Sequence, residues 1–338
     1  MTASVQVQPT APDVAEQRRE LAPPGGADRV FRLVLRSMGS VVLGIMAVVG
    51  LFLAIRAGLA LRRAGGDFLT TEAWEPDDAN FGVAAVLVGT ILIALVAISL
   101  AVPLATGMAL YISEYATGWR KRLLVTLVDL MAAVPSVVYG LWGVNFLQPR
   151  VVGLSRWLAT YGSWIPLLEV DGYNPGDPLS PQTVFTSSTF IAGIVVALMV
   201  TPIISSIMRE VFSQAPVGER EGAYALGGTR WGMIRTVVLP FGRGGMIGGT
   251  MLGLGRAMGE TIAIYMIISP VFVIQPHILE NGASSISSLI ALKYGAAGDV
   301  GISALMAAGL TLFVVTLAVN FGASMIIARS RSGAQSEV

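Results

Sequence analysis

The sequence predicts an all-helical, polytopic membrane protein with six spans. Three observations carry that expectation. Of the 338 residues, 54% are hydrophobic and only 13% are charged, whereas a soluble domain carries about 25% charge. The apolar residues gather into six long runs, each exceeding the roughly 20 residues that cross ~30 Å of hydrocarbon as a helix. A membrane β-barrel needs alternating segments of ~10 residues, and none is visible. Other classes are excluded on composition. The net charge of +1 leaves no basic excess for nucleic acid. Cysteine is absent and His277 is the single histidine, which argues against thiolate chemistry, a histidine-based metal cluster or a Ser-His triad. No cofactor is expected.

Taken in order, residues 1–28 are rich in Pro, Ala, Gln and charge and read as a disordered tail. They lack the short apolar stretch of a cleavable signal peptide. The first span has its core at Met38–Ile55 and extends over Arg29–Leu61. The second is Phe81–Tyr111, within a charge-free stretch from Asp78 to Glu114. The third, Leu123–Leu147, carries Asp129 and Pro135. The fourth is Val184–Met208. The fifth, Gly244–Ile274, carries Arg256 and Glu260. The sixth is Val300–Ala328, and residues 330–338 form a C-terminal tail. Pro135 removes a helix hydrogen bond and marks a kink, as does Pro103 in the second span.

Basic residues set the orientation. They cluster before the first span, at Arg120, Lys121 and Arg122, between the fourth and fifth spans, and at Arg329 and Arg331. The opposite segments hold Arg56, Arg62, Arg63, Arg150, Arg156 and Lys293. Both termini are therefore expected in the cytoplasm. Arg62 and Arg63 go against the rule. Three outside loops result: Arg62–Asn80, Pro149–Thr183 and Gln275–Asp299. Asp129 is expected to pair with Arg122. Glu114, with Arg120 to Arg122, reads as an interfacial anchor, and His277 as a solvated loop residue.

The inside loop, residues 209–243, differs from these. Glu219–Leu226 reads as a short helix with small residues on one side, stopped by Gly227 and Gly228. Trp231–Val238 reads as an amphipathic piece running into Leu239-Pro240. A short exposed helix of this kind suits insertion into a partner's groove; a loop lying on the membrane is the alternative.

In the fifth span, Gly245, Gly249 and Gly253 lie four apart, a spacing that lets helix backbones approach. On a continuous helix Arg256 and Glu260, at i and i+4, share a face. Either charge alone in lipid costs about 2.5–3.5 kcal/mol or more. Two readings stand: a self-neutralising structural pair, or an anion site with Arg256 as the positive group.

Glu221, Ala223, Gly227, Val237, Leu239 and Pro240 resemble the EAA motif of ABC-importer permeases: Glu-Ala-Ala, a Gly four residues on, and a terminal Ile-x-Leu-Pro. Gly222 stands for the middle Ala and Val237 for Ile. Gly253-Leu-Gly-Arg-Ala-Met-Gly-Glu-Thr-Ile-Ala263 and Val134-Pro-Ser-Val-Val-Tyr-Gly-Leu-Trp-Gly143 resemble segments of the permeases of the phosphate-specific transport system. The resemblance spans most of residues 29–329, and the long loop between the third and fourth spans is like that of the PstC subunit. It implies a type I ABC importer permease fold in the plasma membrane, with Arg256 and Glu260 on the substrate path. It implies as partners a PstA-like permease, two copies of a PstB-like ATPase, a PstS-like binding protein and inorganic phosphate. No nucleotide-binding Gly-x-x-x-x-Gly-Lys-Ser/Thr loop occurs here, so the ATPase is another chain and this one is not an enzyme. A permease for sulfate or molybdate fits the same residues. A stand-alone secondary transporter has no use for a docking helix.

Overall fold

The structure, a computed structural model, describes residues 26–174, 177 and 180–331. The tails expected at 1–28 and 330–338 lie outside these, apart from residues 26–28 and 330–331, which are helical. The chain divides into two units between Leu51 and Phe52. The described part of the first belongs to helix α1 (Gly26–Ala64), where Arg32 and Asp28 pair one turn apart at 2.9 Å.

The second unit contains the end of α1 and everything that follows. A two-stranded hairpin comes first, β1 (Trp74–Glu75) paired antiparallel with β2 (Asn80–Phe81). Phe81 is packed edge-on by Phe68 and Trp74. The sequence predicts only a loop here. Two residues per strand are too short a run to show alternation.

Helix α2 (Ala84–Leu110) runs through Pro103 and ends in a wide turn at Tyr111–Tyr115. Helices α3 (Gly118–Ala133), α4 (Ser136–Trp142) and α5 (Gln148–Tyr161) follow. Then come α6 (Thr189–Ser213), α7 (Val217–Ala225), α8 (Arg230–Met233), α9 (Leu239–Gly259), α10 (Ile262–Ile267), α11 (Ile286–Lys293) and α12 (Asp299–Arg331). Among the described residues, five helical stretches are long and apolar enough to cross a membrane: Asp28–Leu69, Ala84–Tyr115, Thr189–Ser213, Arg230–Gly259 and Asp299–Met325. The pair Gly118–Ala133 and Ser136–Tyr161 makes a sixth when taken as one broken span.

That break corrects the expectation of a kink. The two halves meet at 91°, and Val134 and Pro135 are both extended, with Pro135 capping α4. A residue before proline is driven out of the helical region by the ring. The Met131 carbonyl, which caps the end of α3, accepts the Tyr139 hydroxyl at 3.0 Å.

The core forms where small residues let backbones close up. On α2, Ala94, Ala97, Ala101, Ala105 and Ala109 are buried in one cluster with α6. On α9, the glycines divide between two faces. A Cβ at Gly245 would clash with Val211 of α6 and one at Gly253 with Ile204, while Gly249 lies in ordinary contact with Ile207. The expected close approach is therefore made by these three. A Cβ at Gly244, Gly248, Gly255 or Gly259 would meet nothing within 4 Å among the described residues, which leave that side of α9 open.

The tightest approach lies elsewhere. A Cβ at Gly89 would overlap the Ser284 carbonyl oxygen. Backbone cannot swing away as a side chain can. Gly89→Ala should therefore cost about 1–3 kcal/mol, measured as a lower thermal midpoint of the purified chain. The contact joins α2 directly to the segment ahead of α11.

Candidate functional site: an exposed loop and a broken helix

The loop between α6 and α9 is built to present one face and anchor the other. Helix α7 places Arg220 and Ala223 inward, three residues apart, and Val217, Glu221 and Tyr224 outward at i, i+4 and i+7. The helix stops where the sequence predicts. Gly227 adopts φ +80°, which costs glycine little. Its N–H donates to the Tyr224 carbonyl at 2.9 Å, and that of Gly228 to the Ala223 carbonyl at 3.0 Å. Leu226 is thereby held 92% exposed. Thr229 then caps α8 by accepting the Gly232 N–H at 3.1 Å. Gly222 has open space around it, Val237 and Leu239 are half-buried, and Pro240 is exposed in the first turn of α9.

Arg220 ties this loop to the helices behind it. Its guanidinium donates to the Glu114 carboxylate at 2.9 Å, the Phe212 carbonyl at 2.6 Å and the Ala215 carbonyl at 3.1 Å. Glu114 also accepts the Ser113 hydroxyl at 3.0 Å, and its side chain is only 3% exposed. Arg230 lies over the Tyr115 ring, 5.1 Å from its centre, a second tie to the same turn. The interfacial-anchor reading of Glu114 is thus corrected, as is the expected pairing of Asp129 with Arg122: the ion-pair partner of Asp129 is Arg209, at 3.9 Å. Sequence reasoning missed Arg220. The one available signal was a lone carboxylate, Glu114, closing a long charge-free run.

Glu114→Ala leaves the Arg220 charge half-buried and unpaired, at a cost of about 3 kcal/mol. Arg220→Lys should rescue poorly, because a single ammonium does not reproduce a planar fork that spans three acceptors. Thermal unfolding of the purified variants checks both expectations.

The second site is a break in the fifth span. The helix begins earlier than expected and ends sooner. It runs from Arg230 to Gly259 through a wide turn at Ile234–Val238. Glu260 then turns extended, φ −66° and ψ 128°. Arg256 and Glu260 therefore do not share one continuous helix, and the closed pair that the sequence allows is not formed. Arg256 stands in the last turn of α9, where a cation suits the helix dipole. It is exposed and makes no ion pair or hydrogen bond among the described residues. Open on the same helix are Gly248, Gly255 and Gly259.

Glu260 is buried. One carboxylate oxygen accepts the Ala263 N–H at 3.3 Å, and its backbone carbonyl accepts the Ser287 hydroxyl at 2.6 Å. The second carboxylate oxygen takes no hydrogen bond among the described residues. Ser287 belongs to α11, within the expected loop Gln275–Asp299. Its neighbours Ser285 and Ser288 cap that helix reciprocally, and the Ile286 N–H donates to Thr90 of α2 at 3.0 Å. The break is thus buttressed by α2 and α11.

Residues 101–332 match the family of binding-protein-dependent transport system inner membrane components. The chain belongs to this family. Several relatives of this permease carry the name phosphate transport system permease protein PstC. That of Haemophilus influenzae is 36% identical over 305 residues, covering 89% of this chain and 93% of its own length. That of Xylella fastidiosa strain 9a5c is 36% identical, covering 92% and 96%. PstC 2 of Mycobacterium tuberculosis is 35% identical, covering 91% and 94%. Among solved structures, a bacterial ABC transporter involved in import of the acidic polysaccharide alginate aligns with a TM-score of 0.53. It is 18% identical and covers 89% of this chain and 99% of that one. The inward-facing MetNI methionine ABC transporter aligns at 0.50, with 12% identity and coverage of 72% and 93%. At such identities the likeness is one of fold: this permease has the type I ABC importer architecture.

Proposed function

We propose that this permease is the PstC-like half of an ATP-driven phosphate importer in the plasma membrane, with both termini in the cytoplasm. One observation carries the reading. A single helical rod runs from Arg230, beside the exposed loop, to Arg256, at the break. At 1.5 Å per residue the two lie about 40 Å apart along its axis. Movement of the loop is delivered to the guanidinium by one stiff element.

In this scheme a PstA-like permease covers the open face of α9, and phosphate passes between the two chains. Two copies of a PstB-like ATPase receive the coupling loops, here Glu221, Gly222, Ala223, Gly227, Val237, Leu239 and Pro240. A PstS-like binding protein delivers phosphate to the opposite side. Closure of the ATPases on ATP draws the loops together and switches the path from inward- to outward-facing. Pumping requires the site to bind differently in the two states. The break at Pro135 gives the third span a joint at which that change is accommodated. The chain itself makes and breaks no bonds.

Phosphate near neutral pH carries about two charges and at least one P–OH. The fork of Arg256, without a partner among the described residues, matches its oxygens. The uncommitted oxygen of Glu260 accepts the P–OH proton, which sulfate lacks. Glu260→Gln should therefore lower uptake and narrow the preference for phosphate over sulfate, as measured by competition in cells carrying the full set of subunits. Unchanged uptake and selectivity would remove Glu260 from the path.

A further inference from the structure

The lone histidine is not the solvated residue that its sequence context implies. His277 and Glu280 lie between α10 and α11, and Asp171 lies between α5 and α6. The fold brings them together so that one ligand atom from each falls within 4.8 Å of the others. His277 Nδ1 is 3.4 Å from a Glu280 carboxylate oxygen and 3.9 Å from one of Asp171. We propose that Asp171, His277 and Glu280 bind a zinc-type divalent cation, which staples these two segments together.

Three features support a built site. First, the spacing fits. Bonds of about 2.0–2.2 Å to nitrogen and oxygen place tetrahedral ligand atoms about 3.4 Å apart. The His277–Glu280 separation already has this value, and the Asp171 carboxylate oxygen, 3.9 Å from Nδ1, closes on it by about 0.5 Å.

Second, among the described residues the imidazole is the only basic group against the two carboxylates. His277 Nδ1 is buried and has no hydrogen-bond partner among the described residues. A neutral imidazole turns either a lone pair or a poorly directed N–H toward them. A dication placed between the three satisfies the nitrogen and neutralises both acids.

Third, the ligands are oriented from behind. One Glu280 oxygen accepts the Asp171 backbone N–H and the other accepts the Gln275 side-chain amide, the kind of support that fixes metal ligands. The backbone is held as well. The Ile278 N–H donates to the Leu167 carbonyl at 3.0 Å, and the Asn281 N–H to the Val184 carbonyl at 2.7 Å. Between them Leu279 is fully buried. Asp171 is 79% exposed, which gives an ion access from water.

The test uses the full chain, purified in detergent with an affinity tag free of histidine. Because the protein has no cysteine and one histidine, any site with an imidazole ligand uses His277. Titration with Zn²⁺ by calorimetry should reveal one saturable equivalent. His277→Ala and Asp171→Asn should each weaken it at least about tenfold, and Gln275→Ala by about 10- to 100-fold. Asp171 is at the surface, so its variant keeps the test meaningful if the His277 variant misfolds. Co²⁺ should give a visible absorption band in the wild type that the Asp171 variant loses. The proposal is overturned if no saturable equivalent is found, if the variants bind as the wild type does, or if only Mg²⁺ or Ca²⁺ binds.

Discussion

Arg256→Ala is expected to lower phosphate uptake by roughly 10- to 100-fold while the transporter assembles normally. The size follows from what is removed. Hydrogen bonds to a charged group are worth about 1.5–3 kcal/mol, and each 1.4 kcal/mol is a factor of ten. The specificity of the effect follows from the structure. Arg256 is exposed on α9 and makes no ion pair or hydrogen bond among the described residues, so its truncation removes no internal support. A purely structural arginine would give the opposite pattern, with a falling melting temperature and little selective loss of uptake. Arg256→Lys should retain part of the activity, because the charge remains while the fork is lost. Radiolabelled phosphate uptake, alongside recovery of the purified complex, measures both.

The second large effect concerns the exposed loop. Glu221→Lys should weaken ATPase binding by about 30-fold or more, the effect of losing an interface contact worth about 2 kcal/mol. Glu221 lies on the outward face of α7 with Val217 and Tyr224, and its substitution leaves the inward anchor at Arg220 untouched. Leu226→Asp is the companion variant. It places a charge where a 92% exposed leucine is offered to a partner. In both variants the permease should fold and reach the membrane, yet lose ATPase on co-purification and lose uptake in proportion. If the loop merely lay on lipid, Leu226→Asp would alter membrane association and leave ATPase recovery unchanged.

Much of this architecture was legible in the sequence because hydropathy reports spans directly. Length and charge-free composition placed α2, α6 and α12 within a few residues. The stop at Gly227 was legible from glycine's tolerance of positive φ. Gly245, Gly249 and Gly253 were legible as a packing face from their spacing. What escaped was whatever depends on distant partners or leaves composition unchanged. The break at Glu260 contains no proline, and Ile262–Ile267 continues the apolar run, so hydropathy shows no seam. The helix Ile286–Lys293 hid because its reciprocal cap uses serine at both positions, where a glutamate or glutamine is the usual sign of a helix start. Glu114 finds Arg220 across 106 residues of sequence. Local reasoning offers Arg120 to Arg122 instead, and only the packing of α2 against α6 decides between them. His277 escaped for the same reason, since Asp171 lies in a different loop.

On this mechanism the Arg256 position faces the phosphate path and moves with the loop at the far end of the same helix. The absence of cysteine from the chain allows both properties to be read at once. Arg256→Cys, assembled with cysteine-free partner subunits in membrane vesicles, is treated with a water-soluble thiol reagent in the presence and absence of phosphate and of ATP. Modification from the aqueous path is expected, slowed by phosphate and changed in rate by ATP. A thiol that stays unreactive in every state, or reacts at one rate regardless of phosphate and ATP, would refute the mechanism.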